Sequence, residues 1–215
     1  MKPKKMNPQV TRSHYIFRYD TKSRWVSYWH QIDEVVKSGA KSVLEVGLGN
    51  GTVSSYMRRI GLKVTTVDFD SRLNPDIVSD VRKLRVKRNV YDIVLCCQVL
   101  EHIPFEDVRS VLKKFYKMAA KRVIISLPDA NPDLSFYFGI KFIPFIPKWS
   151  RWFKIRYPHK HLFEKHGQHH WEIGKRGYPL SRILTMIRQE GFVVYKTYLP
   201  EENQYHRFFI LDKKL

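Results

Sequence analysis

The sequence predicts an α/β protein built on a doubly wound, mostly parallel sheet of about seven strands, with a C-terminal antiparallel strand pair. Three observations carry this. Short apolar runs alternate with amphipathic helical segments as far as residue 128, the rhythm of β-α-β units. The central runs are continuous in Val, Ile and Leu, as strands covered on both faces require. The last two runs, FVVYKTYL and QYHRFFIL, are joined only by PEEN, a link short enough for antiparallel neighbours.

Each element has its own signal. In TKSRWVSYWHQIDEVVKSG, Trp25, Tyr28, Trp29, Ile32, Val35 and Val36 recur at helical spacing, and Gly39 stops the helix. KSVLEV is a short buried strand, followed at once by GLGNG and the helix TVSSYMRRIG. KVTTVDFD, PDIVSD and YDIVLCC are the second, third and fourth strands. FEDVRSVLKKFYKMAA is amphipathic, with Phe105, Val108, Val111, Leu112, Phe115 and Met118 on one stripe and Arg109, Lys113, Lys114 and Lys117 largely outside it. KRVIISLP is the fifth strand. No clear period is read over residues 129–177. YPLSRILTMIRQEG then restores a helix, with Pro179 near its start and Gly191 past its end.

The 215 residues fit one domain: a basic tail over 1–20, then a single domain over 21–215 with a basic aromatic insertion at about 129–168. Lys plus Arg number 39 against 20 acids, a net charge of +19 that points to an anionic partner or to solubility, not to a fold. Cys96 and Cys97 are neighbours on a strand and point to opposite faces, poorly placed to bond each other. They read as reduced thiols in a cytoplasmic protein. MKPKKMNPQV has no apolar core behind it, so no signal peptide is expected, and no run is apolar enough to span a bilayer.

Gly47, Gly49 and Gly51 lie between a strand and a helix, where glycine permits a tight turn and close approach of a ligand to backbone. Asp68 ends the next strand and should sit beside them, able to accept hydrogen bonds from both hydroxyls of a ribose. Asp70 is the competing acid, read as a helix cap or turn residue. The implied ligand contains a nucleoside. The spacing is G-x-G-x-G, not the G-x-G-x-x-G of nicotinamide enzymes, which disfavours a dehydrogenase.

VLEVGLGNGT, VTTVDFD, SDVRKL and YDIVLCCQVLEHIP, in that order, resemble the class I S-adenosylmethionine-dependent methyltransferases, a Rossmann-like fold, and most closely the small-molecule group with a "vLEHI" segment. The resemblance implies S-adenosyl-L-methionine as cofactor. It places Glu45, Gly47, Gly49 and Gly51 around the methionine part, Asp68 on the ribose, Asp80 and Val81 at the adenine, and Gln98 near the sulfonium. It covers most of the chain apart from the tail and residues 129–168, and says nothing of the acceptor.

Methyl transfer from a sulfonium needs alignment above all, and a general base only if the nucleophile carries a proton. His102, just after the fourth strand, is one candidate catalytic residue. The other is His169, in a stretch, HKHLFEKHGQHHWEIG, that holds five of the nine histidines. HWEIG followed by KRGYP is similar to a pattern in bacterial relatives, with Gln168 where an acid is expected. No cysteine is near these histidines, and their spacings fit neither a zinc finger nor H-E-x-x-H, so no metal is expected.

The insertion LSFYFGIKFIPFIPKWSRWFKIRYP mixes aromatics with cations and has no acid. It reads first as a lid over the acceptor, then as a peripheral contact with an anionic membrane, and last as a nucleic-acid surface, since no RNA- or DNA-reading motif accompanies it. The function expected is a methyltransferase acting on a small or lipid-linked, anionic acceptor. The alternatives are an RNA methyltransferase and a non-catalytic adaptor, the latter opposed by intact Gly47, Gly49, Gly51 and Asp68. Oligomeric state is left open.

Overall fold

A computed structural model describes residues 19–85, 87–131, 133–140, 149–156 and 168–214. Nearly all of the predicted tail, residues 1–18, and much of the insertion lie outside the described residues. A seven-stranded sheet forms the centre, in the order β3-β2-β1-β4-β5-β9-β8. Its strands are β1 (Ser42–Val46), β2 (Lys63–Asp68), β3 (Ile77–Val78), β4 (Tyr91–Cys97), β5 (Ala119–Pro128), β8 (Phe192–Tyr198) and β9 (His206–Lys213). The first five pair in parallel, while β9 runs antiparallel to both β5 and β8, as the PEEN link requires.

Both faces of this sheet are apolar because consecutive strand residues point to opposite sides. Leu44, Val94, Val123 and Phe209 face one layer, formed by α3 (Phe105–Met118) and α4 (Leu180–Gln189), where Phe115, Leu112 and Ile183 are buried. Val43, Ile93, Ile124 and Phe208 face the other, formed by α1 (Lys22–Lys37) and α2 (Thr52–Arg59), where Val35 and Met57 are buried. The β5–β9 pair is also clamped at its outer end, where Arg122 donates two hydrogen bonds to Asp212 directly across the ladder.

Two elements differ from expectation. Helix α1 forms where predicted, with Thr21 as its N-cap, but buries Ser27, Tyr28, Gln31, Glu34 and Val35. Trp25 and Trp29, on the predicted apolar face, are 51% and 57% exposed. The inner face of α1 meets polar partners: Glu34 accepts from Lys196 and Tyr198, and Ser27 pairs with His206. The second difference is in the insertion, where β6 (Asp133–Ile140) and β7 (Trp149–Arg156) form a two-stranded antiparallel ladder separate from the main sheet. Leu134, Phe136, Phe138, Phe153 and Ile155 all stand exposed on it. They alternate along each strand, so the face was written with a period of two within a stretch read as aperiodic.

The exposure of the tryptophans has a measurable consequence. Phe115→Ala should cost about 3–5 kcal/mol in urea unfolding, as a large core truncation does, whereas Trp29→Ala should change stability by about 0.5 kcal/mol or less.

Candidate active site

A cavity of about 310 Å³ opens at the carboxyl ends of β1, β2 and β4. The chain winds outward from β1 through β2 to β3 on one side and from β4 to β5 on the other, so this is the point at which strand order reverses, where open α/β sheets bind ligands.

The glycine loop forms the floor. Gly47 has φ +88°, and a Cβ there would lie 2.3 Å from Cγ2 of Val99, so no larger residue fits without moving the β4 exit. Gly49 also has positive φ, but a Cβ on it would meet nothing within 4 Å. The loop is tied to β2 by the Gly47 amide, which donates to the Val67 carbonyl at 2.8 Å. The Asp68 carboxylate accepts from the Leu48 amide and from the Asp70 amide, each at 2.9 Å. Burial raises the Asp68 pKa, and those amides oppose the rise. Asp70 is taken up otherwise: it caps the turn Ser71–Leu73 and pairs with Arg72 at 2.7 Å.

Glu45, on β1, lies under the same floor. It is buried, and its Oε2 has no hydrogen-bond partner among the described residues. Burial pushes its pKa up to about 8, against the Ser54 hydroxyl and Arg58, which favour the charged form. Such an oxygen calls for a cationic donor. Together with the glycine cradle and the Asp68 carboxylate beside it, this oxygen fits an amino-acid nucleoside such as S-adenosylmethionine. Val81 and Gln98 also line the cavity. Gln98 adopts φ +55°, rare for a residue with a side chain, and is fixed by its amide on the Ser126 carbonyl at 2.9 Å. Asp80 and Gly51 do not line it: Asp80 is engaged with Arg82 at 2.6 Å, and Gly51 caps α2.

The opposite end of the cavity is built by two segments docked on each other. After β4 the chain makes a single turn, Leu100–His102, and residues 168–173 return onto it. The His170 amide donates to the Glu101 carbonyl at 2.8 Å, and Trp171 Nε1 donates to the Ile103 carbonyl at 3.1 Å. Trp171 is fully buried, edge-on to Phe105. This docking brings together the two predicted catalytic histidines, with ring centroids 4.8 Å apart. His102 Nδ1 is held by the Gln168 carbonyl at 3.2 Å, and His169 Nδ1 by Glu172 at 2.9 Å. Burial lowers the His102 pKa to about 4, helped by His169 nearby. Glu172 is held in its charged form: burial would raise its pKa, but hydrogen bonds from His169 and Lys175 outweigh it and hold it at about 2.

Sequence reasoning missed one wall. Tyr19, Arg24, Ser27, Tyr28 and Gln31 line the cavity from α1 and its entry, and His206 closes it from β9. Asp20 fixes this wall by accepting from Tyr28 at 3.0 Å and from Asn50 of the glycine loop at 2.7 Å. Tyr19 and Asp20 thus belong to the domain, although the tail was drawn to residue 20. The available signal was the polar series Ser27, Gln31 and Glu34, spaced along one helical face.

Comparison with known proteins agrees with this geometry. Residues 18–176 match the family model described as a methyltransferase domain. The chain belongs to that family. It is a class I methyltransferase by fold, and S-adenosylmethionine is the cofactor of the class. A ubiquinone biosynthesis O-methyltransferase of Pseudomonas fluorescens (strain Pf0-1) is 30% identical over 136 residues, covering 54% of this chain and 56% of that protein. The chain thus spans about half the length of the curated relatives it matches. Among solved structures, the magnesium protoporphyrin IX methyltransferase of Synechocystis PCC 6803 with bound S-adenosylmethionine shares the fold at TM-score 0.59 and 17% identity, over 97% of this chain and 87% of that one. The 1,6-didemethyltoxoflavin-N1-methyltransferase of Burkholderia thailandensis does so at 0.59 and 15%, over 94% and 85%.

The buried carboxyl of Glu45 makes the ligand-free protein sensitive to pH. Its folded pKa, about 8, lies above the ordinary 4.5, so between these values the folded state holds a proton that the unfolded state has released. Stability falls as pH rises through that window. Below 6.5 the trend is opposed, because His102 and His206, both lowered to about 4, resist protonation in the folded state. Thermal unfolding of the ligand-free protein should therefore show a decline from pH 6.5 to 8, and Glu45→Gln should remove up to about 1.4 kcal/mol per pH unit of it. An unchanged slope in Glu45→Gln would contradict this assignment.

Proposed function

We propose that this chain transfers a methyl group from S-adenosylmethionine to a hydroxyl oxygen of a small or lipid-linked acceptor. The observation that carries the reading is the cavity at the strand-order reversal, with one partnerless buried oxygen on Glu45 and a carboxylate on Asp68 already oriented by two backbone amides. Glu45 would hold the amino group of the methionine part, the loop Gly47–Gly49 its backbone, and Asp68 the ribose. When bound, the cofactor supplies an activated methyl group that leaves by direct displacement, so the protein's task is alignment. The ubiquinone biosynthesis relatives are named as O-methyltransferases, which favours oxygen as the accepting atom, whereas the N1-methyltransferase shares the fold alone.

The acceptor enters at the His102–His169 end. His102 is neutral at pH 7, since burial holds its pKa near 4. With Nδ1 of each ring engaged by protein, Nε2 is the ring nitrogen left for the acceptor, and on the neutral His102 it carries a lone pair. Trp171 and Ile103 exclude water behind them. The exposed apolar face on β6–β7, in a segment rich in Lys and Arg, supports a lipid-linked acceptor met at an anionic membrane surface. Among the described residues no helix is long and apolar enough to cross a membrane.

Asp68→Ala should weaken S-adenosylhomocysteine binding by about tenfold or more in calorimetry, the loss of hydrogen bonds to a charged group, while Asp70→Ala stays within about threefold. Equal losses, or binding of NADH instead, would overturn the cofactor assignment. Liposomes containing anionic lipid should retain the protein at low salt and release it at high salt, and Phe136→Ser with Phe138→Ser should reduce retention. No retention at low salt would remove the membrane arm of the proposal.

A further inference from the structure

The acceptor end holds a group that the reading above leaves unused. Glu101 is completely buried, and neither of its carboxylate oxygens has a hydrogen-bond partner among the described residues. A buried carboxylate without donors costs several kcal/mol unless it is protonated or meets a cation. Among the described residues no lysine lines this cavity, and the arginine that does, Arg24, stacks on Tyr19 with its guanidinium 3.7 Å from the ring centroid.

Glu101 does have neighbours of another kind. One ligand atom from each of Glu101, His102 and His169 lies within 4.8 Å of the other two. Both imidazoles are anchored through Nδ1, His102 on the Gln168 carbonyl and His169 on Glu172, which is itself held by Lys175 at 2.8 Å. An Nδ1–H held by a carbonyl or carboxylate fixes the tautomer and directs Nε2 to a metal, the usual support around a histidine ligand. Atoms bound to one ion at about 2.1 Å lie roughly 3–4 Å apart, so the set needs to close by about an ångström.

We infer that Glu101, His102 and His169 form a binding site for a divalent first-row transition cation at the acceptor end of the cavity. Two imidazoles and one carboxylate suit zinc, manganese or iron(II) better than the all-oxygen preference of magnesium or calcium. Three protein ligands leave positions open to an oxygen of the acceptor, where a cation lowers the pKa of a bound hydroxyl. This last role rests on the methyltransferase reading, but the site itself does not. The sequence expectation of no metal was drawn from spacing motifs, whereas these ligands come from segments 67 residues apart, joined by the docking of Trp171 on Ile103.

The test is calorimetric titration of chelator-treated full-length protein with zinc chloride and with manganese chloride. One cation should bind per chain, and His102→Ala and His169→Ala should each weaken binding at least tenfold. His159, His161 and His166, substituted together by alanine, should leave it unchanged. Glu101→Gln should also lose binding, but the alanine variants carry the test if that one fails to fold. Absence of stoichiometric binding overturns the inference, as does binding that survives His169→Ala or is lost in the triple variant. S-adenosylhomocysteine binding, measured on the same variants, separates the two proposals: it should persist in His169→Ala, and its absence from the parent protein would count against the methyltransferase reading alone.

Discussion

The acceptor end depends on one hydrogen bond within an apolar contact, Trp171 Nε1 to the Ile103 carbonyl. It seats the segment after the insertion on the turn after β4. The indole packs against both Phe105 and Tyr178, which also touch each other, and its single donor reaches the Ile103 carbonyl. Everything that gives this end its chemistry follows from that seat. His102 comes to face His169, and Glu101 loses its access to water. Glu172 meets His169 from three residues along the same docked segment. The glycine floor has an independent anchor, the Asp68 carboxylate with its two amides, so the two ends of the cavity are stabilised by separate interactions.

That separation explains which parts could be read in the sequence. The sheet, the glycine loop and Asp68 are local: each sits where a strand ends or a turn demands a particular residue, and chain order alone places them together. Leu44, Val94 and Phe209 announce buried strands by their continuous apolar surroundings. The wall from α1 was not legible, because Glu34 and Ser27 are buried against partners contributed by β8 and β9, far along the chain, and Gln31 donates to Ser27. Hydrophobic spacing put Trp25 and Trp29 inside, yet both stand exposed on the outer side of the helix. The hairpin β6–β7 was obscured by aromatics on both parities of the strand, although its exposed face follows a period of two. His102 and His169 were both singled out from their motifs, but their proximity required the Trp171 contact.

Charge behaves differently at the surface and in the cavity. The net charge of +19 describes the field an approaching partner meets, and so bears on membranes and on association. Among the described residues that line the cavity, the unpartnered buried side-chain oxygens belong to acids, Glu45 at one end and Glu101 at the other. A basic protein thus encloses a cavity whose unmet demand is for positive charge. The cofactor's amino group can answer that demand at Glu45, and a metal ion can answer it at Glu101. An acceptor drawn in by the basic surface would otherwise meet a carboxylate at the reacting end. With a divalent ion on Glu101, the same end becomes net positive and suits an oxygen nucleophile. An anionic acceptor, the expectation drawn from composition, would therefore depend less on the lysines and arginines of the surface than on what neutralises one buried glutamate.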